Sequence, residues 1–222
     1  MVLDSGSRDG TMELARRLGA RVSSRDFDGF GAQKQAALDL ATGEWVLSID
    51  ADERLTPELA EEIRRTIAAP EAAGYWVRRT LTYLGRDLRF GGTERDWVLR
   101  LARRSSARFT QVPVHERLEV DGETRRLRSP MRHVKYRTLS EHLATIDRYT
   151  DAIADVKRAK GRRFRAWHLL RIPWELFARL VLRLGVLDGR AGIIHAAMAS
   201  YYGFLKYAKL WPAEPSRTRD AP

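Results

Sequence analysis

Apolar residues near the N-terminus come in short runs, each ending in a turn or an acid. Val2-Leu3 is an apolar stub that stops at Asp4, and Ser5 to Gly10 is a turn-rich loop. Thr11 is placed to cap a helix from Met12 to about Leu18, with Gly19 as its stop. Ala20 to Ser23 reads as a short strand and Ala32 to Ala41 as a helix. Trp45 to Ile49 is a clear strand that runs straight into Asp50-Ala51-Asp52. Thr56-Pro57-Glu58 then opens a helix to about Ala68, with Thr at the cap and Pro in the first turn. This alternation predicts an α/β fold with a mixed, mainly parallel sheet flanked by helices.

From Tyr75 to Tyr136 the spacing changes to short strand candidates at 75–77, 98–101, 117–120 and 132–136, punctuated by Gly85, Gly91-Gly92 and Asp121-Gly122. After Ser140 the chain reads as helix to near Leu210, with breaks at Gly161, Pro173 and Asp188-Gly189. Within Trp167 to Leu187, charges recur every four residues at Arg171, Glu175, Arg179 and Arg183, among mainly apolar neighbours. That spacing predicts one narrow polar stripe on an otherwise apolar helix. The expected organisation is an α/β domain over 1–138, a helical extension over 139–211 suited to associate with membrane, and a disordered tail over 212–222.

Composition narrows the class. The 222 residues are 44% hydrophobic and 31% charged, which suits a buried core and excludes a disordered tail, a collagen repeat or a coiled coil. With no cysteine, a disulfide scaffold, a thiolate zinc site and a cysteine nucleophile are excluded. The net charge of +11 suggests an anionic partner. It is unevenly placed: residues 1–100 carry 15 basic and 17 acidic side chains, net −2, and residues 101–222 carry 25 and 12, net +13. No stretch reads as a signal peptide, and no window of about 20 residues is free of charge as a spanning helix requires. The expected location is cytoplasmic, in contact with a membrane surface.

Two acidic loops carry the chemistry. Asp50 and Asp52 follow a strand, the end of an open α/β sheet at which ligands bind. Two carboxylates one residue apart can share a hard divalent cation, Mg²⁺ or Mn²⁺, whose other ligands come from a diphosphate. A bare D-x-D is also common as a solvated acidic turn. Asp4 to Thr11 is the second loop: Asp4 is placed to accept hydrogen bonds from a base or ribose, and the small residues around Ser5 admit a nucleotide. An ordinary capped turn is its bland alternative. Arg100, Arg103 and Arg104 form a guanidinium cluster suited to phosphate, or a solvated strand edge.

Taken together, Val2 to Thr11, Gly31-Ala32-Gln33-Lys34-Gln35 and Ala41 to Glu53 resemble a family 2 glycosyltransferase of the GT-A fold. Arg100 to Arg104, Val114-His115-Glu116, Leu127 to His133 and Leu187 to Gly192 resemble the branch of lipopolysaccharide core heptose β-1,4-glucosyltransferase-like proteins. The resemblance implies inverting, metal-dependent transfer of a sugar, glucose from UDP-glucose in that branch, to a glycolipid acceptor. It implies nucleotide-sugar contacts from Asp4, Ser5, Asp9, Lys34, Asp50 and Asp52, a metal held by Asp50 and Asp52 with His133 added, and acceptor or phosphate contacts from Arg100 and Arg103. Lys34 alternatively reads as a surface lysine, and His133 as a hydrogen-bonded structural histidine. An inverting transfer needs one general base; Glu116 fits best, with His115 orienting it and Asp96 as runner-up. The family opens with a strand and a helix before the strand that ends at Asp4, so that opening portion is expected to be missing here. Expected partners are a UDP-sugar, a glycolipid and an anionic membrane surface. A nucleic acid is not expected, because Asp50 and Asp52 repel phosphate without a metal. A polyprenyl-phosphate or other polysaccharide-building transferase, and an inactive truncated remnant, are the alternatives.

Overall fold

The computed structural model describes residues 1–111 and 116–211. Strand and helix alternate through β1 (Val2–Asp4), α1 (Thr11–Arg17), β2 (Val22–Ser24), α2 (Phe30–Asp39), β3 (Trp45–Leu47), β4 (Glu53–Arg54) and α3 (Pro57–Ala68). Strands follow: β5 (Gly74–Tyr83), β6 (Arg86–Asp87), β7 (Trp97–Arg103), β8 (Ala107–Phe109), β9 (Leu118–Val120), β10 (Thr124–Arg126) and β11 (Met131–Tyr136). The helices α4 (Leu139–Ala159), α5 (Arg171–Phe177) and α6 (Gly189–Ala208) complete the order. The chain forms two compact units, one of Met1–Arg79 with Asp96–Met131, the other of Thr80–Arg95 with the chain from Arg132 onward. Division is therefore not by a single cut near residue 138, because residues 80–95 pack with the helices. The tail over 212–222 lies outside the described residues.

In the first unit, β1 and β2 pair in parallel, and β10 runs parallel to the start of β5. The pairs β3–β7 and β5–β7 are antiparallel. The sheet is mixed, with less parallel pairing than the alternating pattern suggested. The reason is local: β5 returns as β7 without a crossover helix between them, and an antiparallel pair needs none. Leu59 and Ile63 stand one turn apart on α3 and bury against Tyr75, Val77, Leu101, Leu127 and Met131. The α3 start is as read: Thr56 Oγ1 accepts the Leu59 N–H at 3.1 Å, and Pro57 takes the first turn. At α1 the expectation fails in detail. Gly10, in the left-handed region, takes the cap position without a side-chain bond, and Thr11 is already helical.

The second unit is built on Tyr83, which is wholly buried with Leu88 and Ala191 beside it. Its hydroxyl meets His142 Nδ1 at 2.9 Å, and the His142 ring stacks on Tyr136 at 3.9 Å. A capping box of Thr138 and Glu141 starts α4. From Ala166 the chain is helical to Leu182, first as 3₁₀, then as α5, then as one π segment. Pro173 does not break it. It sits in the first turn of α5, where its missing N–H costs little. The real break is at Leu184, at φ 55°. The middle of the polar stripe is engaged within its own unit: Arg179 pairs with Glu175 at 2.8 Å and donates to the Gly91 carbonyl at 3.0 Å. Asp188 accepts the Arg89 and Phe90 N–H groups, and a Cβ on Gly192 would meet the Gly185 carbonyl oxygen at 2.1 Å. The run Leu187 to Gly192 thus has a packing role. Among the described residues, no helix is long and apolar enough to cross a membrane.

Candidate active site

The site grows from the C-terminal end of β3. There Ser48 donates to the Arg100 carbonyl at 2.8 Å, and the chain turns so that Asp50 and Glu53 exchange bonds. The Asp50 N–H donates to Glu53 Oε2 at 2.9 Å, and the Glu53 N–H to the Asp50 carbonyl at 2.9 Å. This turn sends the Glu53 carboxylate inward, with no side-chain exposure, and leaves Asp52 exposed.

Seven charged side chains then alternate in sign. Asp96 takes a two-point contact from Arg79, at 2.9 and 3.0 Å. Arg79 also reaches Glu53 Oε1 at 3.0 Å, and Arg100 Nη2 reaches the same oxygen at 2.5 Å. Arg100 continues to Asp50 Oδ2. Lys34 Nζ lies 2.9 Å from Asp50 Oδ1 and 2.9 Å from Glu116 Oε1. Burial pushes the Asp50 carboxyl up, but Arg100 and Lys34 outweigh it and hold the group below the usual carboxylate range.

Arg79 and Glu53, which carry the middle of this chain, were not singled out from sequence. The available signal was a third acid directly after D-x-D, but its inward direction depends on the turn. Arg100, read as a phosphate clamp, is buried and committed to two carboxylates. Arg103 is half-exposed, pairs with Glu44 and lies over the Trp45 ring at 5.0 Å. Arg104 donates to the Gly43 carbonyl at 3.0 Å. Asp96, the runner-up base, is engaged by Arg79. Both amide atoms of Gln33 and the Nε of Arg100 are buried with no hydrogen-bond partner among the described residues.

Glu116 is positioned from behind. Thr110 donates its N–H to the Arg117 carbonyl at 2.9 Å, and its hydroxyl accepts the Arg117 N–H at 2.9 Å. Residues 110 and 117 are thereby tied together directly beside Glu116. His115 lies outside the described residues. The α2 helix is seated on the same segment, since the Phe109 N–H donates to Gln35 Oε1 at 2.8 Å. Gly31 is required there, because a Cβ would come within 2.4 Å of the Thr110 carbonyl oxygen.

At the first loop, Asp4 is buried at the end of β1, and its Oδ1 accepts the Gly6 and Ser7 N–H groups at 2.8 Å each. Hydrogen bonds from the Ser7 side chain and backbone and from Gly6 hold its carboxyl below the usual range despite burial. Ser5 is exposed on this loop. Asp9 accepts from the Thr11 hydroxyl at 2.5 Å and from its N–H at 3.2 Å, and so orders the α1 start. His133 sits in β11, buried, and belongs to the second unit. Among the described residues, no group of three or more His, Asp or Glu is arranged to hold a metal ion. The Asp50–Asp52 pair offers hard oxygen donors, the set that suits a cation completed by substrate phosphates.

Comparison with known proteins supplies the context. A family model described as glycosyl transferase family 2 matches residues 1–127. The chain is 30% identical to a lipopolysaccharide core biosynthesis glycosyltransferase, LpsC, of Rhizobium meliloti (strain 1021), across 99% of this chain and 84% of that protein. It is 25% identical to an uncharacterised glycosyltransferase of Rickettsia typhi (strain ATCC VR-144 / Wilmington), across 95% of this chain and 76% of that protein. A shorter match, 42% identical over 86 residues, is to a TPR repeat-containing protein of Synechococcus elongatus; it covers 38% of this chain and 21% of that protein.

Proposed function

Because the chain belongs to glycosyl transferase family 2, and so is a glycosyltransferase of GT-A fold, we propose that it moves a sugar, glucose from UDP-glucose, onto a heptose of a lipopolysaccharide core glycolipid. The core assignment rests on the name of the Rhizobium relative. In this reading the enzyme works at the inner face of the bacterial inner membrane, where such an acceptor is anchored. The observation that carries the reaction is Lys34, whose one amine binds both Asp50, the donor-side carboxylate, and Glu116.

Glu116 acts as the general base. It takes the proton of the acceptor hydroxyl as that oxygen attacks the anomeric carbon, and the nucleoside diphosphate leaves from the opposite face. Lys34 lines Glu116 up with the donor side. Asp50 and Asp52 would hold a Mg²⁺ or Mn²⁺ ion, which would neutralise charge on the leaving diphosphate. Asp4, Ser5 and Asp9 form the nucleotide-facing loop, with Asp4 shaping its backbone. Arg103 is the better placed of the two arginines to meet an acceptor phosphate, because Arg100 is held by Asp50 and Glu53.

The test is nucleoside diphosphate release over a panel of nucleotide sugars, with and without a heptose-terminated core glycolipid and Mn²⁺. Release from UDP-glucose that depends on acceptor and metal is expected. Release with a polyprenyl phosphate acceptor alone, or from no donor at all, overturns the reading.

A further inference from the structure

The helical run that follows α4 has two unlike sides. One side is packed within its own unit: His168 stacks on Tyr207 at 4.1 Å, Arg171 lies over the same ring at 5.2 Å, and Ala178 is buried. The other side has no such cover. Trp167, Leu170, Trp174, Phe177 and Val181 follow each other at three- and four-residue steps, the spacing of one helical face, and all five are exposed, Leu170 at 68% and Trp174 at 62%. Leu182, Leu184, Val186 and Leu187 extend this apolar surface past the helix end, and each is also exposed. Single exposed apolar residues need no explanation, but a contiguous set of this size marks a surface with a partner.

Charge identifies the partner. Residues 156–187 hold nine basic side chains and one acid, Glu175, which is already paired with Arg179. Lys160, Arg162, Arg163 and Arg165 stand exposed immediately before the apolar face. Tryptophan and leucine on one side, with an arginine cluster at the rim and no helix able to span, is the pattern of a segment lying in a bilayer interface. We propose that this surface, from Lys160 to Leu187, docks on an anionic lipid bilayer, with Trp167, Leu170 and Trp174 entering the acyl boundary and Arg162 and Arg163 at the headgroups. The proposal rests on the functional reading above only in its choice of a bilayer over another anionic surface.

The full chain is spun with vesicles of phosphatidylcholine alone or mixed with phosphatidylglycerol. It should pellet with the mixed vesicles at about 50 mM salt and lose that binding at least tenfold at about 500 mM, where screening is nearly complete over the headgroup distance. The pair Leu170→Ser with Trp174→Ser, and separately Arg162→Ser with Arg163→Ser, should each reduce binding at least tenfold with an unchanged circular dichroism spectrum. These side chains face solvent, so the fold does not depend on them. A chain that stays in the supernatant at low salt overturns the proposal. So does vesicle binding unaffected by either pair, and so does a dimer that Trp174→Ser dissolves in the absence of any vesicle binding. Diphosphate release with a soluble acceptor separates the two claims: a chain that turns over but does not bind vesicles removes the docking surface alone, and one that binds but is inert removes the catalytic assignment alone.

Discussion

Lys34 stands 2.9 Å from Asp50 and 2.9 Å from Glu116, so one amine ties the carboxylate after β3 to the acid behind Thr110. Removing it as Lys34→Met leaves Asp50 to Arg100 alone and Glu116 without this partner. The Asp50 carboxyl then rises toward its ordinary value, since Lys34 is one of the two cations that hold it down. Turnover should fall at least about tenfold with little change in melting temperature, because the pair is partly solvated and its net stability is on the order of 1 kcal/mol. Lys34→Arg should recover part of the rate. A melting shift of many degrees with normal turnover would assign Lys34 to structure instead.

Glu116→Gln keeps size and hydrogen bonding but cannot take a proton. Transfer should drop by roughly 100-fold or more, the usual worth of a general base. Calorimetric binding of the nucleotide sugar should stay within about twofold, since the change is on the acceptor side. Near-normal turnover would hand the role to another group.

Arg100→Met strikes the buried part of the chain. Glu53 has no side-chain exposure and keeps the Asp50 N–H and one of its two cations, Arg79, while Asp50 keeps one of its two, Lys34. Leaving a buried carboxylate short of its cation costs about 3–5 kcal/mol. Denaturant unfolding should show a loss of that order, and adding Glu53→Gln to Arg100→Met should return part of it. An unchanged midpoint would mean the carboxylate finds water.

Two histidines make the second unit acid-sensitive. Burial, with Lys135 nearby, pushes His142 down to about 4, and burial, with Arg179 and His142 nearby, pushes His195 to about 4. The unfolded chain binds these protons at about 6.5, so between the two values it holds more protons than the folded one and stability rises with pH. The contribution is whole above about 6.5 and is lost as pH falls toward about 4. Melting temperature should decline over that window. His142→Phe, which keeps the stack on Tyr136, should flatten the decline. A flat profile in the parent chain would contradict the burial of both rings.

Local signals were legible and distant ones were not. Thr56-Pro57 announces α3 because cap and helix lie within four residues. The breaks at Gly161 and Asp188-Gly189 follow the same logic. Pro173 misled, because whether a proline breaks a helix depends on where the helix begins, and that start is set by the packing of Arg165 to Leu170. The three motif segments carried the family, and Lys34 and Asp50 stand inside them; Glu116 stands apart from them in sequence, and the structure shows it paired with the same lysine as Asp50. Arg100 could not be read correctly, because its partners are 47 and 50 residues away and reach it only through the turn at Asp50. The 80–95 segment likewise looks like any strand-and-turn stretch until Asp188 is seen to take its backbone N–H groups.

Gly31 has no charge and no side chain, yet it fixes a tolerance. The α2 backbone rests against the Thr110 carbonyl because nothing projects from residue 31. Lys34 rides on that helix three residues on, and Glu116 immediately precedes Arg117, which Thr110 binds. The backbone-to-backbone contact thus fixes where the helix that bears the amine starts relative to Thr110. An alanine at this point would act as a shim, pushing α2 away from the Thr110 carbonyl while Lys34 and Glu116 kept their identity.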